Sequence, residues 1–370
     1  MDSTFVPVRS HHYDPELTFD FCVNEPAWSN QAGIHSAFGS TDRLYFRKEV
    51  PVNHDNDLSS SYSTTVWRGE RANAQILVWS SEALEQVRVS TQDLRSAEGN
   101  IIPKDRITFE LVRYVLSNYP YAEKKAICGE SPYKSGFLMP DRFETLDRFD
   151  LPSQTTRPVW MMVDVPRGTV PGTYKGQVEV RAKGKAPQLL NLEIVVQNQL
   201  LPYPKDWKYR LDLWQNPWAV AWYNHVEPWS PEHKMLLKQH LKHYADAGGT
   251  YSTTYGVHSP WSDNSYMIEG GMIEWIKKAD GTWAFDYKIF DEYVELAMEC
   301  GINEAITLYT PIPWGFRHRY KDEATGDYSY INWAPSSEEF KKMWNIFLTD
   351  FKFHLEAKSW LDITLSLIHI

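Results

Sequence analysis

The stretch "LLNLEIVVQNQLLPYPKDWKYRLDLWQNP", residues 189–217, changes character in its middle. Leu190, Leu192, Ile194 and Val196 alternate with outward positions, the period-two pattern of a half-buried strand. Two prolines then interrupt the chain in "LPYPKDW", residues 201–207, which reads as a linker. Beyond it, "YRLDLWQNP" is a short strand running into a loop, and the periodicity that follows is helical. The switch at 201–207 predicts two domains: a β domain before it and a strand–helix domain after it.

Working back toward the N-terminus, the β pattern holds from about residue 30. "TTVWRGERANAQILVWS" carries the apolar run Ile76-Leu77-Val78-Trp79 after an alternating lead-in. "VRVSTQDL" alternates Val87 and Val89, and "RPVWMMVDVPRGTVPGTYKGQVEVRAKG" holds two strands around a Pro/Gly turn. Short strands punctuated by Gly, Pro and Asn predict a β-sandwich over residues 30–200.

Working forward, Ser230-Pro231 marks a helix start with Ser as N-cap and Pro in the first turn. That helix is expected to run to Ala247 and stop at Gly248-Gly249. "TYSTTY" reads as the next strand. Asp286 can cap a helix ending at Cys300, and "EAITLYT" is a third strand. Ser336 and Glu339 have capping-box spacing, and Phe340, Met343, Trp344, Phe347, Phe351 and Leu355 then recur at helical intervals. "LDIT" opens a fourth strand. Strand and helix in alternation predict a parallel β/α arrangement over residues 208–364. A truncated (β/α)8 barrel fits, with a doubly wound sheet as the alternative. The expected fold class is therefore multidomain, β then α/β.

Composition narrows the function. The chain has 370 residues and is 42% hydrophobic and 23% charged, ordinary for a globular protein. Aromatics stand out, with 16 Trp, 21 Tyr and 16 Phe. Flat apolar rings suit sugar-binding clefts, and they equally fill large cores. A formal net charge of -10 argues against a nucleic-acid partner, which would need a basic face. No run of 18 apolar residues is present, so no membrane insertion is expected. "MDSTFVPVRSHHYDP" has no h-region of a signal peptide. Cys22, Cys128 and Cys300 lack any CxxC spacing, which gives neither a disulfide framework nor a zinc motif. P-loop, GxGxxG, HExxH, GxSxG and EF-hand patterns are all missing.

In a barrel, chemistry gathers where strands end. The segments after the strands hold Trp214, Gln215, Asn216 and Pro217; then Tyr255, Gly256, His258 and Trp261; then Tyr309, Pro311 and Trp314. The three tryptophans are cleft walls or core. Asp212, opposite in face to Leu211 and Leu213, is a site carboxylate or a satisfied structural one. His258 is a loop hydrogen-bonder or a catalytic group. Asp291-Glu292 lies within a helix and reads as a solvated face. Asp322-Glu323, in "RYKDEATGDY", reads as an exposed turn.

At these same loops the sequence resembles glycoside hydrolase family 123. The segments are "LDLWQNPWAVAWYNHVEPWSPEH", "TTYGVHSPW", "WIKKADGTWAFDYKIFDEYVELAMECGI" and "LYTPIPW" for the catalytic domain. "TVWRGERANAQILVWS" and "VWMMVDVPRGTVPGTYKGQVEV" look like that family's N-terminal β-sandwich. The resemblance implies a retaining β-N-acetylgalactosaminidase with a (β/α)8-type barrel, a glycan substrate and substrate-assisted catalysis without metal or cofactor. It implies substrate contacts at Trp214, Asn216, His258, Trp261, Tyr309 and Trp314, and a secreted or periplasmic protein. The family's catalytic Asp-Glu pair follows the fourth strand. Here the residues after Thr364, "LSLIHI" at 365–370, read as the translation of a sequencing-library adapter, which leaves the pair expected just beyond Thr364. A carbohydrate-binding protein without catalysis is the alternative reading.

Overall fold

The structure is a computed structural model that describes residues 25–52, 58–117, 137–257, 271–309 and 312–366. The described residues up to Leu201 and those from Pro202 onward form two compact units.

The first unit opens with a helical turn, α1 (Glu25–Trp28), and continues as strands β1 (His35–Gly39), β2 (Ser61–Arg68), β3 (Arg71–Ser80), β4 (Leu84–Thr91), β5 (Leu94–Arg95), β6 (Ile101–Ile102), β7 (Ile107–Ser117), β8 (Phe137–Glu144), β9 (Phe149–Leu151), β10 (Thr155–Asp164), β11 (Gly172–Arg181) and β12 (Gln188–Leu200). They form two sheets, ordered β1-β3-β10-β7-β8 and β2-β12-β11-β4-β9, with the short β5 paired to β11. One apolar cluster draws on both sheets, including Ile76, Val78 and Val159 from one and Val178, Leu190 and Ile194 from the other. The alternation of β12 is the cause: Leu190, Leu192, Ile194 and Val196 are buried, while Asn191 and Glu193 are not. Full burial of each such side chain is worth about 1.5–3 kcal/mol. β3 lies between β1 and β10, antiparallel to both, and its unbroken run Ile76-Leu77-Val78 is buried throughout. β2 runs parallel to β12, an exception in an otherwise antiparallel sandwich.

The second unit alternates helix and strand: α2 (Pro217–Asn224), α3 (Pro231–Asp246), β13 (Tyr251–Tyr255), β14 (Glu274–Lys277), β15 (Trp283–Asp286), α4 (Lys288–Glu299), β16 (Ala305–Tyr309), β17 (Arg317–Asp322), β18 (Tyr328–Asn332), α5 (Glu338–Lys358) and β19 (Thr364–Ser366). β13, β16 and β19 form a parallel sheet in that order. Leu211 adds a single parallel bridge to Gly249. Ser230 caps α3 by accepting from His233 N, with Pro231 first in the helix. The N-cap of α4 is Tyr287, not the expected Asp286, which lies one residue earlier and accepts from Lys288 N at 2.9 Å.

Several expectations need correction. The strand over 209–214 reduces to the bridge at Leu211, because Leu213 N donates to the Tyr244 hydroxyl at 3.3 Å instead of to a neighbouring strand. The fourth strand, expected to open with "LDIT" at Leu361, begins only at Thr364; Leu361–Ile363 is a 3-10 turn, entered after Ser359 turns left-handed (φ 60°) and ends α5. The N-cap of α5 is Ser337, which accepts from Phe340 N at 3.1 Å, so the cap lies one residue after Ser336. A further sheet, β15-β14-β17-β18, is built from two hairpins in the segments after β13 and β16. Three parallel strands and one bridge with four helices make an open sheet; a closed (β/α)8 barrel is not formed among the described residues.

Alternation along β13 and β16 sorts their faces. Thr253, Tyr255, Thr307 and Tyr309 share one face. Ile306 and Leu308, on the other, belong to one apolar cluster with Phe290 and Val294 of α4 and Phe347 and Phe351 of α5. No described helix is long and apolar enough to cross a membrane.

Candidate active site

The face bearing Thr253 and Thr307 is polar and closes around Asp212. Its Oδ1 accepts from Thr253 Oγ1 at 2.6 Å and its Oδ2 from Thr307 Oγ1 at 3.1 Å. Both threonines are almost wholly buried and Asp212 is half-buried. A sheet face that carries a carboxylate where a core would carry Val or Leu is costly unless its hydrogen bonds are made. Here Asp212 joins the chain before α2 to two neighbouring strands.

Above this layer the strand ends present aromatic rings. Tyr309, the last residue of β16, lies 4.7 Å from Trp214, centroid to centroid, at 43°. Tyr255, the last of β13, meets Tyr309 edge-on at 6.1 Å. Trp214 is half-exposed. A ring pair of this kind is a platform for an apolar face.

The loop carrying Trp214 is held by tyrosine hydroxyls. Tyr255 OH donates to Gln215 O at 2.5 Å, and Tyr293 OH donates to Gln215 Oε1 at 3.2 Å. Tyr244 OH contacts Leu211 O at 2.6 Å and Tyr251 O at 2.9 Å. Burial raises the Tyr244 phenol to about 12 and pushes those of Tyr255 and Tyr293 higher still; burial also raises Tyr309. Each of them therefore stays a neutral donor across the physiological range. His233 braces the same segment from α3. Its Nδ1 accepts from Trp229 N at 2.8 Å, which leaves Nε2 as the donor to Pro217 O at 2.8 Å. Burial lowers the His233 pKa and keeps the ring neutral.

The sequence-derived candidates separate as follows. Trp214 and Tyr309 are brought together. Asn216 is the N-cap of α2, its Oδ1 accepting from Ala219 N at 3.0 Å, so that oxygen is committed to the helix. Trp314 begins a 3-10 turn, Trp314–Phe316, just before β17. His258 and Trp261 lie outside the described residues. Asp322-Glu323 sits at the β17–β18 turn, where Glu323 pairs with Lys278 at 2.8 Å. Asp291 is engaged by His354 at 2.7 Å and Lys358 at 2.9 Å, which replaces the expected solvated face with an interhelical one. The threonine pair around Asp212 and the Tyr293 contact were not singled out from sequence. The alternation in "TYSTTY" puts Thr253 and Tyr255 on one face of their strand, but which segments neighbour one another is a tertiary fact.

Comparison with known proteins matches this division into two units. A family model for the glycoside hydrolase 123 N-terminal domain matches residues 38–182, and one for the glycoside hydrolase 123 catalytic domain matches residues 214–370. Among solved structures, a family 123 glycoside hydrolase from Clostridium perfringens, described through its hydrolysis of glycolipid glycans, superposes with a TM-score of 0.80 at 26% identity. The match covers 90% of this chain and 58% of that one, so this chain spans little more than half its length. A PapD-like domain of human CEP192 matches half of the chain at 12% identity and a TM-score of 0.24, too low to bear on fold or function. No curated protein sequence matches. With a sandwich and a β/α unit in the same order, matched along both, the chain belongs to glycoside hydrolase family 123.

Proposed function

We propose that this protein is part of a retaining glycosidase acting on terminal β-linked N-acetylgalactosamine or a closely related sugar. The observation that carries the proposal is the pairing of Trp214 with Tyr309 over the Asp212–Thr253–Thr307 layer, at the C-terminal ends of parallel strands in a family 123 catalytic domain. An exposed ring at that edge suits the C–H face of a sugar. Hydrolysis of glycolipid glycans by the Clostridium perfringens relative supports a glycan substrate.

The proposed chemistry is substrate-assisted. The acetamido oxygen of the sugar attacks its own anomeric carbon while a glutamic acid protonates the departing glycosidic oxygen. An adjacent aspartate orients the acetamido group. Water then opens the oxazolinium ring, giving its proton to the same glutamate, and configuration is retained. The advantage is proximity, since the nucleophile is tethered to the reacting ring. This departs from the usual pair of enzyme carboxylates. The acid–base pair is proposed to follow Thr364, on a sheet that completes a (β/α)8-type barrel. Asp212 has a different task in this scheme. Accepting from two threonine hydroxyls, it fixes the floor beneath the aromatic platform.

The test uses a form extended to the full length of the Clostridium perfringens relative. It should release a chromogenic aglycone from a β-N-acetylgalactosaminide with retention, seen by NMR, and be inhibited by a thiazoline mimic of the oxazolinium. Trp214→Ala should raise KM about threefold to tenfold, matching a stacking contribution of about 0.5–1.5 kcal/mol. Binding of the sugar without turnover would support the carbohydrate-binding alternative instead.

A further inference from the structure

We propose that a cleft between the start of α4, strand β14 and the β17–β18 hairpin is a second glycan subsite, which takes a neutral sugar residue of a longer oligosaccharide. The proposal rests on the reading of the substrate as a glycan and adds where a non-reacting part of it binds.

The cleft has a volume of about 350 Å³. That is the lower end of the range for small-molecule sites and suits about one sugar ring. One of its walls is bonded through the backbone to the end of β13. Met272, in its wall, donates its N–H to Tyr255 O at 2.5 Å, and the next residue, Ile273, donates to Gly256 O at 3.1 Å. The cleft thus opens beside the end of β13, one strand away from Tyr309.

Its walls have the chemistry of sugar recognition. Trp229 and Tyr328 supply aromatic surface; Glu274, Glu292 and Arg319 supply acceptors and donors. These groups hold one another in place. Glu274 Oε1 accepts from Tyr328 OH at 2.6 Å and lies 3.7 Å from Arg319. The Arg319 guanidinium sits 4.0 Å from the centre of the Tyr328 ring. Glu292 is paired with Lys234 at 3.3 Å. Trp229 is fixed by a left-handed backbone (φ 65°), uncommon for a bulky residue, and by its N–H bond to His233. A wall whose rotamers are already set loses little freedom when a ligand arrives.

Charge selects the ligand class. Glu274, Asp286, Glu292, Lys288 and Arg319 line the cleft, and with Lys234 paired to Glu292 the three negative and three positive charges cancel. An anionic sugar gains no net attraction there. A neutral ring, with hydroxyls that both donate and accept, can use carboxylates and the guanidinium together.

The experiment is a titration of the ¹⁵N-labelled chain with a neutral trisaccharide ending in β-linked N-acetylgalactosamine, and separately with the monosaccharide. The Trp229 and Trp214 indole N–H resonances, assigned through Trp229→Phe and Trp214→Phe, report on the two places independently. The trisaccharide should shift both resonances and the monosaccharide only that of Trp214. Glu274→Gln should weaken trisaccharide binding roughly tenfold, the scale of one hydrogen bond to a charged group, and leave the monosaccharide unaffected. A trisaccharide that shifts Trp214 but not Trp229 overturns the subsite and leaves the glycosidase proposal standing. Tighter binding of a sialylated trisaccharide overturns the neutral-ligand assignment. Silence of both indoles overturns the subsite and the glycan reading together.

Discussion

The two units solve the burial of a sheet in different ways. In the sandwich, the inner faces are aliphatic, and buried hydroxyls lean on backbone: Thr156 Oγ1 donates to Glu49 O at 2.7 Å. In the β/α unit, one sheet face is packed by Phe290, Phe347 and Phe351, while the other carries Thr253 and Thr307 bonded to the carboxylate of Asp212. A face that only has to exclude water is made of Val, Ile and Leu. One that must also present groups at its edge carries polar atoms and needs a partner for each. The difference teaches where a single substitution will cost most, and of what kind the cost will be.

The largest effect is expected at the aromatic layer. Phe347 is fully buried and touches Trp275, Phe285, Trp344 and Phe351. Phe347→Ala should destabilise the second unit by about 3–5 kcal/mol. Ile194→Val, equally buried in the sandwich, removes one methylene and should cost about 0.5–1.5 kcal/mol. Urea unfolding followed by tryptophan fluorescence checks both. Similar costs would mean that the aromatic layer can collapse around the loss, against the contrast drawn here.

Next is the polar floor. Asp212→Ala leaves two buried hydroxyls without their acceptor and should cost about 1–3 kcal/mol. Asp212→Asn keeps one acceptor oxygen and should cost less. If alanine and asparagine are equivalent in the same unfolding assay, the carboxylate does not organise the face.

The third expectation concerns pH. The folded-state pKa of His233 is depressed by burial from its ordinary value of 6.5, so folding favours the neutral ring. Its contribution is complete above about pH 6.5, the unfolded value, and is lost as pH falls toward the folded one. His240 is lowered by burial as well, and works in the same direction. The midpoint of thermal unfolding of the second unit should therefore fall on acidification from pH 7 to 5. His233→Gln, which can both donate and accept, should flatten the profile; an unchanged slope in that variant would place the effect elsewhere.

How legible each unit was in sequence follows from the same contrast. The sandwich announces itself because period-two alternation at Leu190, Leu192, Ile194 and Val196 is local and maps directly onto burial. The α3 cap at Ser230-Pro231 was equally local. The hairpin in "EWIKKADGTWAFD" is local as well: Gly281 sits at φ 84° and Lys278 N bonds Thr282 O at 2.8 Å, the geometry an Asp-Gly turn between strands favours. The bridge at Leu211 was less accessible. "YRLDLW" alternates like a strand, but its pairing is set by Tyr244, which lies far along the chain on α3. Trp214 and Tyr309 could be named as residues after strands, yet their contact depends on the parallel order of the sheet. Asn216 shows the reverse case: a polar residue beside the site whose side chain caps a helix.

The smallest effect should come from the carboxylate pair that most invites a catalytic reading. Asp322-Glu323 is an adjacent Asp-Glu pair in a hairpin that follows the parallel strand β16. The hairpin accounts for both side chains. Asp322 Oδ1 accepts from Ala324 N at 3.0 Å, and Glu323 accepts from Ala279 N at 3.1 Å and from Lys278 Nζ at 2.8 Å. The bond from Lys278 holds the Glu323 carboxyl below its ordinary range, the opposite of what a general acid working near neutral pH requires. Glu323 is also open to solvent, which screens its ion pair. Asp322→Asn and Glu323→Gln in the extended enzyme should therefore leave kcat within about twofold, and stability within about 0.5 kcal/mol for Asp322→Asn. If either abolishes turnover while circular dichroism shows the fold intact, the acid–base pair lies in this hairpin, and the division between a structural turn and a strand-end site fails at its most exposed point.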